Sequence, residues 1–492
     1  MNLANAFLAS AEKNIDKTAV FWGDATFSYR HFLNQSAWVA QTLRTALGVK
    51  PGDRVGIWLK NCPEFISALF GALRAGAVLV PINNFLKPDE VAYILRDADI
   101  DVLISEAGMT EGHEKLVQIR PTLRILLVDH FGNGPFESSP VPSSDASEKD
   151  LSMLIYTSGT TGHPKGAMLS HGNLLHNVES CRQVLEAVQL DRFALVLPMF
   201  HTYMLTVCVL LPLIVGGSIV LVKSLHPPKR ILEEMVEHQA TVLVGIPQLF
   251  RTLLGTPPPP RLSLRLCISG AAPLPVETLK QFGARYPVPL LEGYGLSEAS
   301  PVVSLNPVHG VVKPGSIGLP IPGVEVTIRN DAGEEVPVGE IGEICVRGGN
   351  VMMGYWKQEE ETARAIRDGW LYTGDIGRMD AQGYIYVTDR KKDMLLVNGI
   401  NVYPREIEEV MYQYPGIKEA AVVGFPDPRR GEQPVGYIAL AEDAQFEEAA
   451  FLRFLKERLA DYKVPRRIIQ LPALPRNATG KILKTALRAM RH

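Results

Sequence analysis

Between Tyr156 and Gly166 the chain reads Tyr-Thr-Ser-Gly-Thr-Thr-Gly-His-Pro-Lys-Gly, a run dominated by small, hydroxylated and basic residues. Gly159, Gly162 and Gly166 open backbone conformations that a Cβ would forbid, so that successive N–H groups can converge on one point. The hydroxyls of Thr157, Ser158 and Thr160 add donors, and Lys165 adds a positive charge on a flexible stem. Such a loop can wrap an anion, and a triphosphate is the natural guest. A polar loop joining two strands is the plainer alternative. The run is not a Walker A loop. Pro164 stands where a second glycine should precede Lys165, and Gly166 follows instead of Ser or Thr.

Further along, Leu291-Glu292-Gly293-Tyr294-Gly295-Leu296-Ser297-Glu298 sets an aromatic ring between two glycines, with a carboxylate four residues on. A base can stack on Tyr294, and Glu298 can hold a Mg²⁺ that bridges phosphate oxygens. Alone, the run also reads as a turn with a surface glutamate. Ser269-Gly270-Ala271-Ala272-Pro273 follows a strand and offers a flat ligand little obstruction. Tyr372-Thr373-Gly374-Asp375 presents a carboxylate able to accept from both hydroxyls of a ribose, or simply an Asx-turn. His201, after Pro198-Met199-Phe200, stands at a strand end where α/β proteins meet their ligands, although a histidine beside such neighbours also suits a core.

Taken together these segments resemble the adenylate-forming superfamily, which contains acyl-CoA synthetases, peptide-synthetase adenylation domains and beetle luciferases. The similar motifs run in order from about residue 150 to 485. The resemblance implies that Thr157, Ser158, Gly159, Thr160, Thr161, Gly162 and Lys165 hold the phosphates of ATP, and that Thr157 and Glu298 hold Mg²⁺. Gly270, Ala271 and Ala272 would cover one face of the adenine, with Glu292, Gly293, Tyr294, Gly295 and Leu296 on the other, and Asp375 would take the ribose. His201 would sit by the substrate carboxylate. In Asp389-Arg390-Lys391-Lys392-Asp393, which by itself reads as a solvated charge cluster, Arg390 would reach nucleotide oxygens and Lys392 would lie near a hinge. Gly399, within Val397 to Pro404, would line a thiol tunnel; Asn398 departs from the Gly or Ser common there. Lys481, after Asn477-Ala478-Thr479-Gly480, would bridge the carboxylate and the α-phosphate. The catalytic set is thus Lys481, His201 and Lys165.

The elements that must position these residues can be read from pattern. Helix and strand alternate through Arg30 to Leu47, Arg54 to Leu59, Pro63 to Arg74, Val78 to Pro81, Pro88 to Asp97 and Val102 to Ile104, which predicts a parallel sheet with helical crossovers. A second such sheet follows the phosphate loop, through strands near 194–197, 242–244 and 266–269. From Gly310 to Asp389 short strands separated by Gly and Asp predict a small β-barrel or antiparallel module. After Arg390 a compact α+β unit is expected. The reading is therefore α/β: a large N-terminal ATP- and acyl-binding domain (1–389) of two parallel-type sheets with helices plus a small β-barrel, and a small mobile α+β C-terminal domain (390–492) carrying the lysine. Phe193 to Val222 lacks Asp, Glu, Lys and Arg, yet Pro198, Pro212 and Gly216-Gly217 leave a helix of only ~14 residues, too short for a span.

With 492 residues, 46% of them hydrophobic, the chain can bury more than one core. A net charge of -3 argues against a nucleic-acid partner. Five cysteines without a C-x-x-C pair suggest neither disulfides nor zinc, and a cytoplasmic location is expected. The resemblance, nearest to bacterial long-chain fatty-acid CoA ligases, implies two half-reactions: a carboxylate and Mg·ATP give acyl-AMP and pyrophosphate, then a thiolate displaces AMP. The expected acid is a medium- or long-chain fatty acid or another apolar acid, with Met204, Val207, Val244 and Ile246 as tunnel or core. No carrier module follows Lys481, which favours coenzyme A over a carrier protein as acceptor. A monomer or homodimer, with or without peripheral membrane contact, fits equally.

Overall fold

The computed structural model describes residues 1–131, 145–157, 164–259, 261–427, 430–442, 444–476 and 481–490. Ser158, Gly159, Thr160, Thr161 and Gly162 of the expected phosphate loop lie outside these residues, as do the four that precede Lys481.

Among the described residues the strands form four sheets. One holds Arg54–Trp58, Val78–Pro81, Val102–Ser105 and Arg124–Leu127 in parallel, extended by Leu151–Thr157 and closed at its edge by the antiparallel strands Lys165–Ser170 and Gly354–Tyr355. The helices between them start and stop for local reasons. Pro63–Arg74 begins on a proline, which gives up no needed N–H, carries Glu64 in its first turn and ends on Arg74, charges that suit the helix dipole. His171–Val184 starts at Ser170, whose hydroxyl accepts from the Asn173 N–H at 3.0 Å while the Asn173 side chain accepts from the Ser170 N–H at 2.9 Å.

A nine-stranded sheet follows. Its centre is parallel, through Thr18–Trp22, Ser218–Leu221, Arg192–Leu195, Val242–Gly245, Leu266–Ser269 and Leu290–Gly295. Its edges turn antiparallel, with Ala25–Ser28 at one side and Val302–Leu305 and Leu319–Pro320 at the other. The apolar run past His201 forms helical turns from Thr202 to Val215, wide π-type ones at Leu205–Leu210. The wide turns stand just before Pro212, where a proline ring would crowd an α-helical carbonyl and can donate nothing. Gly216, in a left-handed conformation, ends the helix. No helix among the described residues is long and apolar enough to cross a membrane.

The small β-module is an antiparallel sheet of Val324–Arg329, Gly342–Gly348, Ile366–Arg367, Trp370–Met379 and Ile385–Arg390, the last strand also bridging to Gly318. The last sheet joins Leu395–Val397, Ile400–Val402, Ile417–Asp427, Gly431–Leu440 and Arg467–Gln470. Helices Pro404–Met411 and Glu448–Lys456 cover it, and the apolar residues of this part, among them Ile407 and Phe451 on the helices and Tyr437 on the sheet, pack in clusters of their own. Polar contacts tie this part to the rest: the Arg405 backbone N–H donates to Asp389 at 2.8 Å, its guanidinium donates to the Val387 carbonyl at 2.8 Å, and Arg251 donates to the Lys418 carbonyl at 2.5 Å.

Candidate active site

Both large sheets, the β-module and the C-terminal part meet around one cavity of about 810 Å³. Thr157 and Lys165 face each other across the hairpin that carries the expected phosphate loop. Lys165 thus opens an antiparallel strand where a Walker A lysine would lead into a helix, which fits the departures noted at Pro164 and Gly166. Gly270 and Ala271 follow the strand Leu266–Ser269, and Gly293, Tyr294 and Gly295 end the neighbouring one with Leu296 just after it, so the carboxyl ends of parallel strands supply the floor. Glu298, Asp375, Arg390, Lys392, His201 and Lys481 complete the polar wall.

Within that wall the side chains constrain one another. The Tyr294 hydroxyl donates to Asp375 Oδ2 at 2.5 Å, and Arg390 Nε lies 3.3 Å from Asp375 Oδ1. Tyr294 is held phenolic, its pKa pushed well up by burial and by the Asp375 charge. Glu298 Oε1 accepts from the Tyr355 hydroxyl at 2.9 Å and lies 3.5 Å from Thr157 Oγ1. This donor set suits Mg²⁺, which takes one or two protein oxygens and fills its octahedron with phosphate and water. Glu298 and Thr157 would hold it, and it would neutralise charge on the polyphosphate.

His201 Nδ1 accepts from the Tyr203 backbone N–H at 3.3 Å, which leaves the ring proton on Nε2. Burial, helped by the nearby Lys481 ammonium, lowers its pKa to about 4, so the ring is neutral at physiological pH and donates without carrying charge. Lys481 is lowered to about 8, first by burial and then by the Arg390 and Lys392 charges, against the opposing pull of Asp375 and Asp393. It remains mostly protonated near pH 7.

The other end of the cavity is apolar. Cys181, Val184 and Leu185, from the helix His171–Val184 and its end, meet Tyr203, Val207, Ile268, Val302 and Leu305. Of the four expected tunnel residues only Val207 lines it. Met204, Val244 and Ile246 are buried in the cores: Met204 does not share the helix face of Tyr203 and Val207, and Val244 and Ile246 lie on and just after the central strand Val242–Gly245.

Three residues expected to bind a cofactor lie off the cavity wall, two at the nucleotide (Glu292, Ala272) and one on the thiol path (Gly399). Glu292 points to the boundary with the C-terminal part, where Oε1 accepts from the Leu274 N–H at 2.9 Å and stands 3.8 Å from Arg405. Ala272 sits one residue beyond the lining Ala271. Gly399 is exposed at a hairpin tip. Sequence reading missed Tyr203 and Tyr355. Tyr203 could have been found from its i, i+4 spacing to Val207, whereas the pairing of Tyr355 with Glu298 spans 57 residues and leaves no local trace.

A protein with this fold and this cavity is a nucleotide-dependent enzyme of the adenylate-forming class. Residues 7–356 match the family model described as AMP-binding enzyme, and residues 406–481 match the AMP-binding enzyme C-terminal domain. The chain belongs to this family, among its AMP-forming acid–thiol ligases. It is 35% identical to a long-chain-fatty-acid–CoA ligase of Bacillus subtilis (strain 168), over 97% of this chain and 92% of that one. It is 37% identical to a feruloyl-CoA synthase of Amycolatopsis sp., over 96% and 95%. The crystal structure of ATP-bound MatB from Rhodopseudomonas palustris matches with a TM-score of 0.91 at 32% identity, covering 99% of this chain and 98% of that one; for the apo form of MatB the score is 0.80.

Proposed function

We propose that this protein activates a medium- or long-chain carboxylic acid as its acyl-AMP, using ATP and Mg²⁺, and then transfers the acyl group to coenzyme A. The observation that carries this reading is the continuity of the cavity. A polar end with Thr157, Lys165, Glu298, Asp375 and Lys481 opens directly into an apolar end with Cys181, Val184, Leu185 and Val207.

In the first half-reaction Lys165 and the loop before it hold the β- and γ-phosphates, Asp375 takes the ribose, and the adenine lies between Gly270 and Tyr294. His201 donates from Nε2 to the substrate carboxylate. Lys481 sits between that carboxylate and the α-phosphate, where it stabilises the charge that develops as pyrophosphate departs. Positioning and electrostatics thus do most of the work. In the second half-reaction the C-terminal part, residues 390–492, pivots near Lys392, withdraws Lys481 and brings the Gly399 loop to the thiol path.

An aromatic acid is the second reading. The Tyr203 ring walls the acyl end beside Gly270, where an added Cβ would fall 3.0 Å from it, and this flat wall suits a ring as well as a chain. The free cysteines fit the reducing cytoplasm in which we place the reaction. AMP release with a panel of acids from two to eighteen carbons, plus ferulate and benzoate, decides between the readings. The highest kcat/KM is expected for a saturated acid of eight carbons or more. A maximum at an aromatic acid reverses the order, and a carrier protein that outperforms coenzyme A replaces the acceptor.

A further inference from the structure

Lys165 is already neutralised before any nucleotide arrives. Its ammonium forms an ion pair with Glu361 Oε2, a residue 196 positions away on the short helix Glu359–Ala365. Lys165 is buried, and the Glu361 side chain keeps 26% of its surface exposed. Each ion has a second partner. The Glu361 carboxylate also accepts from Arg364 Nη1 at 2.6 Å, through its other oxygen, and Arg364 is 68% exposed. The Lys165 ammonium stands 5.5 Å from the centre of the Tyr355 ring, in cation–π range. Tyr355 is fixed in turn by its hydroxyl on Glu298 and by pairing with Ala167 on the strand that carries Lys165.

We propose that Glu361 is a resident counter-ion of Lys165, which the incoming polyphosphate displaces and which returns as pyrophosphate leaves. The proposal rests on Lys165 as a phosphate ligand, but it concerns a residue outside the expected motifs. Breaking a buried ion pair normally strands both charges at high cost. Here neither is stranded: the displaced carboxylate keeps Arg364, and Lys165 keeps the Tyr355 face while it gains a phosphate. The exchange therefore lowers affinity for polyphosphate without obstructing binding, and refilling of Lys165 favours departure of the pyrophosphate.

Glu361→Gln removes the competing charge and preserves the shape. The inhibition constant of inorganic pyrophosphate and the KM for ATP should both fall about threefold or more, as expected for loss of one partly exposed charge, with the KM for the acid unchanged. Damage to the site would move both constants the other way. Glu360→Gln, next in sequence, 90% exposed and 3.6 Å from Arg364, should change neither. Arg364→Met takes away the second partner of Glu361, tightens its hold on Lys165 and should raise both constants. Unchanged or weaker pyrophosphate binding in Glu361→Gln overturns the proposal, as does an Arg364→Met variant with tighter binding. Lys165→Met separates the two levels. If it raises both constants and makes Glu361→Gln silent in the double variant, the coupling stands; if it leaves ATP binding untouched, the phosphate role of Lys165 fails and the proposal with it.

Discussion

At the scale of single residues, the two groups that would act on the carboxylate are kept in opposite states by the same burial. Burial lowers both pKa values, yet a shift to about 4 leaves His201 neutral at pH 7 while a shift to about 8 leaves Lys481 mostly charged. A neutral donor and a cation side by side avoid the repulsion that two cations would suffer. Lys481→Ala should therefore abolish acyl-AMP formation, followed by pyrophosphate exchange, while thioester synthesis from supplied acyl-AMP survives; equal loss in both assays would refute a role confined to the first step. In the wild type, kcat/KM for adenylation should fall as pH rises through about 8, because the charged form of Lys481 in the free enzyme is lost there. Lys481→Arg, which stays charged, should lack that limb at whatever lower rate it retains.

At the scale of elements, the parts legible in the sequence were those written locally. Pro63–Arg74, Val78–Pro81 and Pro88–Asp97 are found where the pattern put them, because a proline at the first helical position or an unbroken apolar run marks each without outside help. The hairpin Thr18–Trp22 and Ala25–Ser28 is marked locally by the two-residue turn Gly23-Asp24, a signal the sequence reading passed over, whereas its place beside Ser218–Leu221 is fixed by a partner some 200 residues away and leaves no local trace. Lys165–Ser170 was equally hidden, because burial on both faces removes the alternation that announces a strand. Asn398 and Gly399 have φ of 53° and 76° and form the two-residue turn between Leu395–Val397 and Ile400–Val402, with Val397 paired to Ile400. Asn-Gly is the sequence such a turn favours. In this arrangement an added Cβ at Gly399 meets nothing within 4 Å, so a side chain there costs backbone strain alone. Gly399→Leu should leave pyrophosphate exchange close to that of Gly399→Ala, which carries the same strain, yet cut coenzyme A-dependent thioester formation at least tenfold more. Equal effects of the two variants on both steps would remove this turn from the thiol path.

At the scale of the whole molecule, arginines tie the C-terminal part to the rest, and a carboxyl group beside one of them titrates near neutrality. Glu292, on the strand that carries Tyr294, and Glu409, on the helix Pro404–Met411, lie 3.8 Å and 4.0 Å from the same Arg405 guanidinium. Burial raises the Glu292 pKa from 4.5 to about 7, against the pull of Arg405 and the Leu274 N–H, with the Glu409 charge adding to the rise. A carboxyl whose folded pKa exceeds its unfolded one binds its proton more tightly in the folded state, so the stability it contributes is complete below about 4.5 and is lost as pH rises through about 7. Glu292→Gln keeps the acceptor for Leu274 and cannot ionise. Its unfolding midpoint, measured between pH 5 and pH 8.5, should therefore gain on the wild type as pH rises across that window. Arg405→Met should show the reverse, with a loss that deepens as pH rises and as Glu292 and Glu409 ionise without a counter-charge. If the Glu292→Gln difference is flat across the window, Glu292 is not the group that titrates at this boundary, and the pH dependence of docking must be sought at Asp389, whose pKa burial also raises.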